Sequence, residues 1–388
     1  NNTPGEAISF RTVCFRLAVK RSACEVNRYR SPRALIDGRN ECDVRIQVLR
    51  IEKLKNESSM LSLQVPADFA FGSAVCSFGW FVLAPNVWDV TRQTLETAVT
   101  LNDERAAAVA VRQSSSKRLT VTLRGAVSAD EKRAVRSVIR RMLRLDEQFA
   151  PFHSLCRKSS THRPAATEKF GRLIRGATLF EDVIKVICTC NVTWRQTVSM
   201  VDRLVERWGV PSAVQGRNGF PTPANLAHAS LRELKSHARV GYRAEFIQRF
   251  ARDVHAGRLS LQFFEMFEGP SDELHKQLRT IHGVGDYAAG NLCMLLGRYD
   301  RLAVDTEMVR LLRQRFPRKK LTPTAIRKLY ARWQPYQFLA YWYELWQDYV
   351  ARHGRADQWS PAREGQGITS SFVTEESAAP QSRRGRAR

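Results

Sequence analysis

Residues 274–308 read LHKQLRTIHGVGDYAAGNLCMLLGRYDRLAVDTEM. Leu274, Leu278 and Ile281 recur at helical spacing, and Ser271 stands where it can cap that helix. Gly283-Val284-Gly285 interrupts the pattern, after which Asp286 can cap a second helix carrying Tyr287, Ala288 and Leu292. Two glycines around one apolar residue permit a sharp turn without side-chain bulk. Their N–H groups and the amino end of the second helix form a concavity suited to one phosphate. Val284 is expected to plug the turn into its own core. Downstream, Asp305 precedes Thr306-Glu307-Met308-Val309, the opening of a further helix that it can cap, with Val304 and Val309 at the staple positions. Capping alone explains an aspartate here. If the carboxylate also faces a nucleotide, it can stabilise positive charge on the sugar and orient water toward it.

Outward from this stretch, residues 166–354 read as helices and short connections. Phe180 to Cys190 is an apolar helix, and Trp194 to Trp208 carries Val198, Val201, Leu204 and Val205. Helical segments follow at PTPANLAHASLRELKSHARV and from Tyr242 to Ala256. After Pro335, Phe338, Tyr341 or Trp342, Leu345 or Trp346, and Tyr349 recur at helical spacing, a pattern expected of a core stripe. From Leu61 to about Gly125 the period is instead near two. Cys76, Phe78, Trp80 and Val82 alternate with smaller or opposite-facing residues, as do Leu119, Val121 and Leu123. Turn-like segments at Ala84-Pro85-Asn86 and Gln113 to Ser116 separate the runs. An antiparallel sheet is the expectation, and it needs a second layer to cover its apolar face. Ser128 and Glu131 form a capping box for a helix with Val135, Val138, Ile139 and Met142 inward and Arg133, Arg136, Arg140 and Arg144 outward. The fold class is therefore α+β: a weakly ordered extension over 1–60, a sheet domain with a basic helix over 61–150, an all-helical domain over 151–354 and a disordered tail over 355–388.

The chain has 388 residues and a net charge of +24. Residues 1–60 account for +5 and residues 355–388 for +2, so +17 lies on the segment between them. A field of that sign on the folded part attracts polyanions, nucleic acid first among them. No run approaches 18 uninterrupted apolar residues, and the opening residues lack a secretion signal, so an intracellular protein without a membrane partner is expected. The eight cysteines are scattered, and Cys188-Thr189-Cys190 has no second close pair to complete a metal set.

These features together resemble the helix-hairpin-helix (HhH-GPD) DNA glycosylase superfamily, in the branch that includes 8-oxoguanine and alkyladenine glycosylases. The resemblance spans about residues 61–354. It implies a TBP-like amino-terminal sheet domain, whose strand motif is matched by Phe78-Gly79-Trp80, and an HhH-GPD helical domain. Ile187-Cys188-Thr189-Cys190-Asn191 looks like the segment whose asparagine fills the space of a flipped base. Gly241-Tyr242-Arg243-Ala244 matches the segment whose aromatic residue wedges the duplex. The resemblance places the duplex wedge on Asn191, Tyr242 and Arg243, the phosphate-binding hairpin on Gly283, Val284 and Gly285, and the catalytic aspartate on Asp305.

The departures are as informative. Bifunctional members carry a lysine where this sequence has Tyr287, and no lysine lies between Lys276 and Lys319. A Schiff base is therefore not expected there, and simple hydrolysis of the N-glycosidic bond is. Tyr287 and Asn291, one helical turn apart, are expected to line the base pocket. Val75 stands where 8-oxoguanine enzymes have a backbone-reading glycine, and Glu307 where a histidine is familiar. Both weaken oxidised guanine as substrate and leave alkylated purines open. No cysteine follows Cys293, so the iron–sulfur cluster of some relatives lacks ligands. No metal or organic cofactor is expected, although the resemblance allows a monovalent cation on hairpin carbonyls. The expected function is a monomeric, monofunctional glycosylase of base excision repair acting on duplex DNA with a damaged base, in a bacterial cytoplasm or a nucleus. The alternative is a noncatalytic damaged-DNA-binding protein in which Asp305 only caps its helix.

Overall fold

The computed structural model describes residues 58–359. The expectations for residues 1–57 and for the tail from residue 360 onward lie outside the described residues. Five strands pair antiparallel in one sheet: β1 (Ser58–Gln64), β2 (Val87–Asp89), β3 (Thr94–Thr100), β4 (Ala106–Ser115) and β5 (Arg118–Arg124), in the order β1-β5-β4-β3-β2. The first strand begins at Ser58, three residues before the boundary read from the sequence. In β5 the alternation holds, with Leu119, Val121 and Leu123 buried and the residues between them outward. Leu63 pairs with Leu119 and Leu61 with Val121, so β1 closes the sheet edge next to β5.

The alternation through Cys76, Phe78, Trp80 and Val82 does not make a strand. Phe71–Cys76 is an α-helix, α1, and Gly79–Val82 is a 3-10 turn. Phe81, expected on the opposite face, is as buried as Trp80, so this run has no polar side to present. A segment apolar on every side is wrapped in other elements, and period two is then no guide. Gly79 is fixed by a close approach: a Cβ there would stand 2.6 Å from the Trp194 ring.

After β5, α2 (Ala129–Met142) starts with the expected capping box between Ser128 and Glu131. Val135, Ile139 and Met142 are buried, while Arg133 and Arg140 pair at the surface with Asp130 and Asp146. Arg136 reaches the Ser62 carbonyl at 3.0 Å and ties the helix to β1. Arg144 departs from the expected outward face. The helix ends at Met142, and the Arg144 guanidinium turns inward, 1% exposed, to the Leu173, Met294 and Leu295 carbonyls and to Glu147. Burial is tolerable because every side of the fork finds an acceptor.

The helical part comprises α3 (Ala150–Arg157), α4 (Arg163–Thr167), α5 (Leu179–Thr189), α6 (Trp194–Trp208), α7 (Pro223–His228), α8 (Leu231–Ser236), α9 (Arg243–His255), α10 (Leu261–Glu265), α11 (Ser271–Leu278), α12 (Asp286–Leu295), α13 (Thr306–Arg315), α14 (Pro323–Tyr330) and α15 (Gln337–His353). Helix α5 runs through the core, buried from Leu179 to Cys188. On α15, Phe338, Tyr341, Leu345, Trp346 and Tyr349 are buried, as their spacing requires. The expected tail starts later than residue 355. Trp88 donates to the Asp357 carbonyl at 2.9 Å, and Trp359 is 2% exposed with its ring 5.6 Å from Trp346. Among the described residues, no helix is long and apolar enough to cross a membrane.

Asp182 joins the layers. It is fully buried near the start of α5, and its Oδ1 accepts from Trp80 Nε1 at 3.0 Å and from the Gly176 amide at 2.7 Å. Its Oδ2 accepts from Arg141 at 3.0 Å. One carboxylate thus holds a residue of the sheet side, the end of α2 and the approach to α5. Asp182→Ala leaves the Trp80 and Gly176 N–H groups buried without their acceptor and takes from Arg141 one of its two carboxylate partners, the other being Glu265 at 2.7 Å. We expect unfolding in urea to show a loss of about 3–5 kcal/mol; a loss below about 1 kcal/mol would show that Asp182 does not join the layers.

Candidate active site

The hairpin forms between α11 and α12. Gly283 has φ +88°, and a Cβ there would stand 2.5 Å from the Phe246 ring, so conformation and crowding both demand glycine. Nothing lies within 4 Å of a Cβ at Gly285, whose backbone is open to a ligand oxygen. Val284 is buried, as a plug must be. The expected caps are corrected. Ser271 and Asp286 are the first helical residues, while Pro270 and Gly285 occupy the N-cap positions without a side-chain bond. Asp286 instead turns to Arg279, 3.2 Å away, which leaves the α12 amides at the hairpin without a side-chain partner.

Asp305 does cap α13: its Oδ1 accepts from the Met308 amide at 2.8 Å. The same half-buried residue lines a cavity of about 690 Å³. Phe78 and Trp80 wall this cavity from the sheet side, Trp194 and Tyr242 from the amino ends of α6 and α9, and Trp342 and Tyr349 from α15. Burial pushes the Asp305 carboxyl up to about 6; the Glu307 charge adds to the rise, while the Met308 amide and the Tyr341 hydroxyl oppose it. Capping and facing the cavity are thus compatible for one side chain.

Tyr287 and Asn291 both line the cavity from α12. Burial first, then the Asp305 charge, hold the Tyr287 hydroxyl well above its usual range, against hydrogen bonding with Thr189 and Asn291. It is a neutral phenol beside the carboxylate. Asn291 gives its Nδ2 to the Tyr287 carbonyl at 3.0 Å. At the cavity mouth, Asn191 has φ +53° and donates to the Tyr242 hydroxyl at 3.3 Å. Tyr242 is 51% exposed, an aromatic ring offered to solvent. Arg243 corrects its expected place in the wedge. It is 5% exposed, donates to the Cys190 carbonyl and lies 4.5 Å from the Tyr242 ring centroid. It props the tyrosine and does not project itself.

Sequence reading named Glu307 only as a departure and missed it as a cavity residue. It also took Trp342 and Tyr349 as core, though both edge the cavity. The available signal was the position of Glu307 in the first turn of the helix that Asp305 caps. The cavity's charged residues are Asp286, Asp305 and Glu307 against Arg243 alone, two more negative than positive, in a chain of net charge +24. A half-buried carboxylate, aromatic walls and a surplus of negative charge suit a flat, electron-poor or cationic ligand.

Residues 184–335 match the family described as HhH-GPD superfamily base excision DNA repair protein. That segment of the chain is similar to the HhH-GPD superfamily. It is similar to DNA-3-methyladenine glycosylase 2 of Escherichia coli (strain K12), with 31% identity over 132 residues, 33% of this chain and 44% of that protein. The match thus spans less than half the length of this curated relative. A likeness of fold covers more of the chain. The 3-methyladenine DNA-glycosylase from Archaeoglobus fulgidus superposes with a TM-score of 0.61 at 18% identity, over 76% of this chain and 98% of that one. The Clostridium acetobutylicum 8-oxoguanine glycosylase/lyase gives 0.56 at 15% identity, over 75% and 97%. Both likenesses cover the sheet as well as the HhH-GPD helices and show the fold.

A prediction on stability follows from Asp305. Its folded carboxyl binds a proton more tightly than the ordinary value of 3.8, so raising the pH from about 4 through 6 weakens the fold, and the penalty is complete above that range. Asparagine caps a helix about as well as aspartate. Asp305→Asn should therefore raise the thermal midpoint at pH 8 by about 2 °C or more and leave it unchanged near pH 4. Calorimetry at both values checks this, and an equal shift at both would contradict it.

Proposed function

We propose that this chain is a monofunctional DNA N-glycosylase that removes an electropositive, N-alkylated purine from duplex DNA in base excision repair. The observation that carries the reading is Asp305, half-buried on the wall of an aromatic cavity beside the Gly283–Gly285 turn. The +17 of the segment outside the two ends would hold the phosphodiester backbone, and the open Gly285 amide with the α12 amino end would take one phosphate. Tyr242, braced by Arg243 and Asn191, is the residue that would enter the stack as a nucleotide leaves it. Extrusion costs a few kcal/mol, less for a damaged or mismatched base.

In the cavity, the bond from the sugar's anomeric carbon to the base nitrogen breaks with its electron pair going to the base. The sugar gains positive charge, which the half-buried Asp305 carboxylate offsets. Water then bonds to that carbon and gives its extra proton to the Asp305 carboxylate, which passes it to solvent. A cationic alkylated purine leaves as a neutral base and needs no acid. That matches a cavity with a surplus of carboxylates and with no lysine or histidine among its lining residues. Tyr287 occupies the place of an attacking amine, and Lys185, buried in α5 against Glu181 at 2.5 Å, does not line the cavity.

The test is Asp305→Asn on duplexes carrying N7-methylguanine. Duplex affinity should be kept while single-turnover excision falls on the order of 10²–10³-fold or more. Borohydride should trap no covalent complex with the native protein. Unchanged excision in the variant would remove Asp305 from the chemistry, and a trapped adduct would contradict the monofunctional reading. Duplex binding without base release by the native protein would leave the noncatalytic alternative.

A further inference from the structure

Glu307 lies in the first turn of α13, two residues beyond Asp305, and lines the same cavity while only 8% exposed. Its Oε2 accepts from the Tyr349 hydroxyl at 2.9 Å and from Arg310 Nε at 3.1 Å. Its Oε1 accepts no hydrogen bond from any described residue. Arg310 is not its partner alone, because Nη2 of the same guanidinium donates to Asp348 at 2.6 Å. The carboxylate is therefore buried with one bare oxygen and a share of one cation. Such a group costs several kcal/mol of desolvation when nothing completes it. Helix capping does not require it, since Asp305 already caps α13.

We propose that Glu307 is a specificity-determining residue: its under-neutralised charge selects a cationic, N-alkylated base over a neutral base of the same shape. The inference rests on the reading of the cavity as a base pocket. Trp342 and Tyr349 supply aromatic surface, which attracts a cation but also accepts a neutral ring. Flat aromatic walls alone separate the two weakly, and a second negative charge beside Asp305 separates them further. Arg243, the cation among the lining residues, is turned to the Cys190 and Val240 carbonyls.

The two donors on Oε2 dictate how Glu307→Gln sits. The amide oxygen takes the Tyr349 and Arg310 bonds, and the NH₂ group replaces the bare oxygen. The variant keeps the anchorage of α13 and loses the charge. Binding is read by quenching of tryptophan fluorescence, since Trp80, Trp194 and Trp342 line the cavity. The probes are 7,9-dimethyladeninium, a fixed cation, and neutral 9-methyladenine. The full chain should bind the cation about tenfold more tightly, and Glu307→Gln should remove about that factor from the cation while leaving 9-methyladenine within about twofold. Equal affinities in the native protein overturn the proposal, as does a preference that survives the substitution. Loss of both ligands together overturns it too, since Glu307 would then only hold the fold. Excision of N7-methylguanine by the native protein, measured in parallel, separates the two readings. A Glu307-dependent preference without excision keeps the charge-selective cavity and sinks the enzyme; excision with an unaltered preference does the reverse.

Discussion

Asp305 has two oxygens and two demands on them. The amino end of α13 needs an acceptor for its free amides, and Met308 N–H finds one in Oδ1. That bond fixes the side chain's rotamer and delivers the rest of the carboxylate to the cavity wall. A capping aspartate is normally bathed in water. Here α12 and α15 bring Tyr287 and Tyr341 beside it, and burial raises its proton affinity to a pKa of about 6. The fold thereby stores a charge that is uncomfortable until a cation comes near it. Asp182, holding Trp80 and Arg141 together, keeps one wall of that enclosure in place.

The sign of the field changes with distance. Seen from afar, the chain is strongly basic and draws polyanions. Inside the cavity the balance reverses: the Asp305 and Glu307 carboxylates stand against one buried arginine, Asp286 being exposed and paired with Arg279. A duplex can thus be held by its phosphates while the pocket accepts something of opposite charge. On the proposed function, the hairpin glycines at the rim of the cavity would hold the backbone while Asp305 and Glu307 select the base.

Much of this was legible in the sequence, for reasons that differ residue by residue. The Gly283-Val284-Gly285 turn was readable because φ and crowding leave no other residue type at Gly283. The Ser128–Glu131 box was readable because a cap acts over four residues of sequence, and the span of α6 because Val198, Val201, Leu204 and Val205 recur at helical spacing. The stretch from Phe71 to Val82 was not, because a segment buried all round carries no polar face to set its period. Arg144 was expected outward and is buried, and Arg243 borders the cavity mouth from a buried position, for one shared reason. A residue's charge predicts exposure only until enough carbonyls gather around it, and those carbonyls come from distant elements such as α12 and the α5 end. Glu307 needed the packing of α15 against α13 to show that one of its oxygens was bare.

The proposed excision depends on an ionised Asp305. The most direct measurement is the single-turnover excision rate of N7-methylguanine from a duplex as a function of pH, because this base is already cationic and needs no protonation to leave. The rate should be low in acid, rise through pH about 6 as Asp305 loses its proton, and level off until the base's own N1–H begins to ionise. A rate that is flat through that range, or that falls as the pH rises through it, would contradict the claim.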